Sequence, residues 1–205
     1  MRRVLLTIGL VTFLAIAPVR ATAGSPSREE VRTFPGPGLV VAGGDATLVR
    51  QPTGASFTFS GTGLVAGHAH TIWFVAFNDP AACTAPMMDG GELISLCGLS
   101  DLGNAAAQPT AVWGAGHVVG GNGVVTFAGR VAVGDTSGCD ALGRLPCNDG
   151  LTDPTGAEIH LVLRTHGAAI PDLVNEQIHS FNRGCETGEP NVTLCRNLLF
   201  AAFLP

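Results

Sequence analysis

The sequence contains no lysine and no tyrosine, and every one of its 11 Lys+Arg positions is arginine. Without a lysine amine, Schiff-base chemistry, including covalent attachment of pyridoxal phosphate, is excluded. Basic residues are outnumbered by 16 Asp+Glu. A polybasic surface for nucleic acid or anionic lipid is therefore excluded by the sign of the charge. Charge of either sign is scarce, at 13% against 46% hydrophobic residues, a balance that buries a core rather than leaving the chain unfolded. Several motifs are missing too. There is no C-x-x-C for zinc or redox work, no G-x-S-x-G elbow and no P-loop, and the glycine runs do not open helices as a dinucleotide fingerprint requires. With two tryptophans available, an aromatic platform for sugars reduces to Trp113, because Trp73 sits in a core-like run.

What is present begins with an address. Arg2 and Arg3, the mostly apolar run Val4 to Pro18 and the small-x-small site Ala21-Thr22-Ala23 read as a signal peptide over 1–23. The apolar run is short for a membrane span, and no second long one follows, so the expectation is an exported chain, secreted or periplasmic, with no stable span after processing. Loss of the leader removes Arg2, Arg3 and Arg20 and no acid, leaving the chain more acidic still. Residues 24–45 are rich in Pro, Gly and charge and read as a flexible lead-in to a single domain over 46–205. Six cysteines, Cys83, Cys97, Cys139, Cys147, Cys185 and Cys195, suit an oxidising compartment. Six allow about 15 connectivities. The sequence offers three tight local pairs, 83–97, 139–147 and 185–195, each in a turn-rich stretch, and closing a loop of that size is worth roughly 3 kcal/mol.

Alternation then sets the fold class. Ala55, Phe57 and Phe59 point one way and Ser56, Thr58 and Ser60 the other. Thr71 to Phe77 is a nearly continuous apolar run, a strand buried on both faces. Ala111 to Val119 and Val124 to Val133 read as two strands joined into a hairpin by Gly120-Gly121-Asn122-Gly123. Ala157 to Thr165 and Leu198 to Leu204 complete the set. Leu173, Val174, Gln177, Ile178 and Phe181 stand at helical spacing behind Pro171, a short helix over 172–181. The expected architecture is an all-β, Greek-key-like antiparallel β-sandwich with two long disulfide-stapled loops, from Asn78 to about 104 and from Gly134 to about 156.

Strand 157–165 carries the densest chemistry. Ile159, Leu161 and Leu163 share the core face, and Glu158, His160, Arg164 and His166 share the other with Val162. That polar face reads either as a solvated sheet surface or as a ligand or metal site. His68-Ala69-His70 places two imidazoles on one side of extended chain, suited to copper or zinc. The rival reading is a surface turn. A metal site from these residues takes His160 with His68 or His70, and His117 as a further candidate. His166 lies roughly 20 Å along the strand from His160, too far to share an ion unless the chain turns at Thr165. His179, on the helix, reads as solvent-facing or capping. Asp135, Asp140, Asp149 and Asp153, with Asn148, crowd the second long loop and weigh as a calcium site against a solvated acidic loop. Asn191-Val192-Thr193 is a glycosylation sequon.

Two resemblances bear on these residues. Gly63-Leu64-Val65-Ala66-Gly67-His68 resembles a Gly-Leu-x-x-Gly-x-His segment of Cu/Zn superoxide dismutases, which implies sandwich architecture; the positions where that family carries its H-x-H ligands fall on Ile72 and Phe74. Gly67-His68 to Thr71, Trp73, Phe77-Asn78 and Pro80 to Cys83, then Ala157 to Val162 with Arg164 to Gly167, then Glu176 to Ile178 with Phe181 and Cys185, resemble an uncharacterised group of secreted bacterial proteins. This implies a shared fold and carries no activity. Two function classes stand at this point. One is a non-catalytic binding or structural protein of the cell exterior with an extracellular ligand. The other is a His-based copper or zinc protein with redox or hydrolytic chemistry.

Overall fold

A computed structural model describes residues 24–36 and 38–205; the leader 1–23 lies outside the described residues. The strands are β1 (Ser27–Thr33), β2 (Val40–Gln51), β3 (Gly54–Gly61), β4 (His68–Phe77), β5 (Met87–Asp89), β6 (Glu92–Ser95), β7 (Pro109–Val118), β8 (Val125–Ala132), β9 (Glu158–Ala168) and β10 (Arg196–Phe203). One short helix, α1 (Val174–Gln177), lies inside the stretch expected to be helical. Eight strands form one antiparallel sheet in the order β7-β4-β9-β10-β1-β2-β3-β8, and β5 pairs with β6 alongside. The all-β antiparallel fold is thus what the chain adopts. Its two layers are the two halves of a single sheet that curls over its own core. Phe57 on β3 meets Phe74 on β4 across that core, ring centroids 6.2 Å apart.

The turn at 120–123 forms, with Gly123 N–H donating to Gly120 C=O, yet its arms are not a hydrogen-bonded hairpin. β7 and β8 are the two edges of the sheet. Their backbones approach through glycine: a Cβ on Gly129 would stand 2.5 Å from the Gly114 carbonyl oxygen. The free edge of β7 is occupied otherwise. Ala111 and Trp113 donate to the carbonyls of Pro146 and Gly138, so the loop stapled by Cys139–Cys147 supplies the missing partner. This blunts an edge that would otherwise template association.

The segment 24–45 is not a lead-in. It holds β1, in the middle of the sheet between β10 and β2, and the start of β2. The signal was weak because Val31 is the one large apolar residue of β1 in the core, and the rest of the strand is Ser, Arg, Glu and Thr. Arg32 is nevertheless buried, bonded to Asp89 Oδ2 at 2.7 Å and Glu30 Oε2 at 3.1 Å.

The three disulfides are the local pairs, with Cα separations of 5.1, 5.8 and 5.9 Å for Cys83–Cys97, Cys139–Cys147 and Cys185–Cys195. The stapled segments cover the outer face of the β4–β9–β10 half. Inside the sheet, Ile72, Phe74, Ile159, Leu161 and Leu163 join one apolar core; outside it, Trp73, Val75, Phe77, Val162 and Phe200 join a second. β4 and β9 are therefore buried on both faces. No helix among the described residues is long and apolar enough to cross a membrane.

Candidate functional site

The second core is not filled. Between the outer face of the sheet and the loops above it lies a cavity of about 380 Å³. The sheet supplies its floor: Trp73, Val75 and Phe77 from β4, His160 and Val162 from β9, Phe200 from β10. The loops supply the walls: Phe34, Met87, Leu99, Leu102, Leu145 and Phe181. Alternation on β4 and β9 aims every second side chain at this space. Volume and lining are those of a small-molecule site, mostly apolar with few polar groups.

His160 is the one ionisable side chain on the lining. Behind it, Nε2 stands 2.6 Å from Glu158 Oε1 and 3.0 Å from Ser95 Oγ, and Phe77 meets the ring edge-on. Glu158 is fully buried and also accepts from the backbone amides of Leu96 and Cys97. Burial alone would raise its pKa; the hydrogen bonds from His160 and Ser95 and from the Leu96 amide outweigh it and hold the carboxyl below its usual value. Ser95, His160 and Glu158 are the residue types of a nucleophilic triad. Their geometry differs from one, because a triad places the acid and the serine on opposite ring nitrogens, whereas here both meet Nε2.

Arg164, on the same face, is buried without a carboxylate. Its Nε donates to Phe181 C=O, Nη1 to Asn197 Oδ1 and Nη2 to Asn182 Oδ1, and its guanidinium lies 4.1 Å above the Phe181 ring. Burial, with Arg144 nearby, pushes its pKa down to about 10. It anchors Phe181, a cavity wall. His166 is wholly buried in a chain with one consistent direction: Trp73 Nε1 donates to Thr71 Oγ1, Thr71 to His166 Nε2 at 3.0 Å, and His166 Nδ1 to Arg183 C=O at 2.9 Å. Burial first, with Arg164 and His70 adding, lowers its pKa to about 4 despite the Arg183 bond, so the imidazole is neutral. The polar face of β9 is thus neither a solvated surface nor one site. It is an interior face divided between a cavity group, an anchor and a structural imidazole.

The structure does not bring the histidines together as expected. His70 pairs in register with Thr165 and His160 with Val75, five residues apart on β4, or about 17 Å. They also lie on opposite faces. His70 stands opposite His117 on β7, but His70 is buried, with Nδ1 bonded to His68 C=O, whereas His117 is exposed and edges onto Phe127. Desolvation lowers the His70 pKa to about 4. Among the described residues no group of three or more His, Cys, Asp or Glu side chains is placed to hold a metal ion. The acidic loop disperses in the same way: Asp140 pairs with Arg144, Asp135 caps Ser137, and Asp153 caps Thr155. Trp113 is half-buried, donating to Ile178 C=O beside His179. Asn191 is buried, its Nδ2 donating to the carbonyls of His166 and Ala168, so the sequon side chain is not presented.

No protein-family model matches the chain, and neither a curated protein nor a solved structure matches it. Ser95 and the loop residues of the cavity were not among the sequence candidates. One signal pointed to them: Met87, Met88, Leu93, Ile94, Leu96, Leu99 and Leu102 make the first stapled loop too apolar for a solvated connection.

Proposed function

We propose that the protein is an exported binding protein for a small, largely apolar molecule, held between the outer face of the β4–β9–β10 half-sheet and the disulfide-stapled loops. The observation that carries this reading is the cavity of about 380 Å³, walled by aromatic and aliphatic side chains with His160 at its floor. Concave, mostly apolar pockets of this size with a few placed polar groups are the usual form of small-molecule sites. Three disulfides and the leader reading support an oxidising, extracytoplasmic location. The staples also suit the task, because they fix loops that would otherwise collapse into the space.

The test is titration with the neutral, apolar dye N-phenyl-1-naphthylamine, read by dye emission and by quenching of Trp73 on the cavity floor. Saturable binding at one site is expected, and Val162→Phe, which fills the space from below, should abolish it while leaving the folded near-ultraviolet circular dichroism. Absence of binding, or undiminished binding by a folded Val162→Phe protein, removes the reading.

A further inference from the structure

His160 presents the cavity with a chemistry more specific than polarity. Its side chain is 9% exposed and its ring lines the space. Nε2 is taken by Glu158 and Ser95. Nδ1 has no hydrogen-bond partner among the described residues. Glu158 is locked as an acceptor: Oε1 faces His160, Ser95 and the Cys97 amide, and Oε2 takes the Leu96 amide at 2.8 Å. A carboxylate in that position requires the ring proton on Nε2. In the neutral ring, the form this inference takes, Nδ1 then carries a lone pair. Of the other polar residues on the lining, Asn197 has its oxygen committed to Arg164.

We propose that the occupant of the cavity is an apolar molecule with a hydrogen-bond donor at one end, a hydroxyl, phenol or N–H, which donates to Nδ1 of His160. The inference rests on the cavity being a ligand site and adds the chemical class of the ligand. A pure hydrocarbon seated over Nδ1 would cover its lone pair and leave it unanswered. A carboxylate sets negative charge against it, with Glu158 directly behind the ring. Ser95 and Glu158 are positioning residues in this scheme; they hold the tautomer and touch no ligand.

The experiment compares naphthalene, 2-naphthol and 2-naphthoate by calorimetry on the wild-type protein and on His160→Phe. In the wild type, 2-naphthol should bind and 2-naphthoate should bind weakest. The ratio of naphthol to naphthalene affinity should fall about tenfold in His160→Phe, the value of one hydrogen bond, with naphthalene binding retained. An unchanged ratio, or a wild-type preference for naphthoate, overturns the donor assignment while leaving the cavity as an apolar site. Failure of all three to bind overturns both readings. Should His160→Phe not fold, wild-type protein carrying ¹⁵N-histidine decides: the Nδ1 resonance of His160 should move with 2-naphthol and stay with naphthalene, and equal responses count against the proposal.

Discussion

The two faces of β9 are built from one continuous strand, and they differ in kind. The inward residues Ile159, Leu161 and Leu163 are fully buried in an apolar core. The outward residues are buried as well, yet four of the five are ionisable, and each has its own arrangement: Glu158 with four donors, His160 over a cavity, Arg164 on carbonyl and amide oxygens, His166 in a directed chain. The inner face is held by the sheet folding on itself. The outer face is held by segments that add no strand to the main sheet beside it, so backbone amides such as those of Leu96 and Cys97 find carboxylate partners instead of a ladder. Stability resides on both sides; the unfilled space lies over the outer face, so the ligand selectivity proposed above would reside there.

The broadest way to sharpen this contrast is acid. His70, on the inner side of β4, and His166, on the outer side of β9, both have pKa values lowered from 6.5 to about 4, first of all by burial. Above pH 6.5 both are neutral folded or unfolded and contribute nothing. As pH falls from 6.5 toward 4 the unfolded chain takes up protons that the folded chain refuses, so stability falls at about 1.4 kcal/mol per pH unit per histidine, approaching about 3 kcal/mol each by pH 4. Denaturant melts at pH 7 and pH 4.5 measure this, and His166→Gln should flatten part of the slope. A pH-independent stability over that interval would mean that neither imidazole is buried as described. Glu158, Asp101 and Asp140, whose pKa values are lowered, lose their contributions only further down, as pH falls through those lowered values.

Next in size is Glu158→Ala. It strands the Leu96 and Cys97 amides and the Nε2 side of His160 in the interior. Removal of one partner from a buried charged network costs about 3–5 kcal/mol. Chemical denaturation should show the loss, and protection of the Leu96 and Cys97 amides from hydrogen exchange should drop with it. A loss below about 1 kcal/mol would show that the outer face is solvated after all.

How far this was readable without coordinates follows the same division. Alternation reports which side chains share a face, and it located β3, while apolar runs located β4, β9 and β10; inward residues such as Phe57, Phe74, Leu161 and Ala201 are apolar, with His70 an exception near the start of β4. Neither signal can report what lies over the other face. The cover on Glu158 comes from Ser95, Leu96 and Cys97, some 60 residues earlier, and no local pattern encodes that contact. β1 was missed because its central place in the sheet is secured by pairing to β2 and β10 rather than by its own hydrophobicity. The arms around Gly120–Gly123 were misread because turn chemistry is the same whether the arms pair or diverge to opposite edges of a curled sheet. The histidines were legible as residues and not as a site, since their convergence depends on register, and β4–β9 pairing separates His70 from His160.

The finest test sets neighbours on β9 against each other. Leu161 is fully buried among close-packed residues, and truncation to Ala leaves a hole the surroundings cannot fill, costing about 2–5 kcal/mol. Val162, the next residue, borders a space that is already empty. Val162→Ala removes two methyl groups that pack on one side only, so its cost should stay near 1–2 kcal/mol, the transfer value of those groups with little added cavity penalty. The binding consequences run the other way. Leu161→Ala should leave affinity for N-phenyl-1-naphthylamine close to wild type under conditions where the protein is folded. Val162→Ala should change it, and should admit bulkier homologues of the dye. Both variants can be followed by urea melts and dye titration on the same samples. Equal destabilisation by the two would mean that the loops close down onto Val162 and that the outer face is packed as tightly as the inner one.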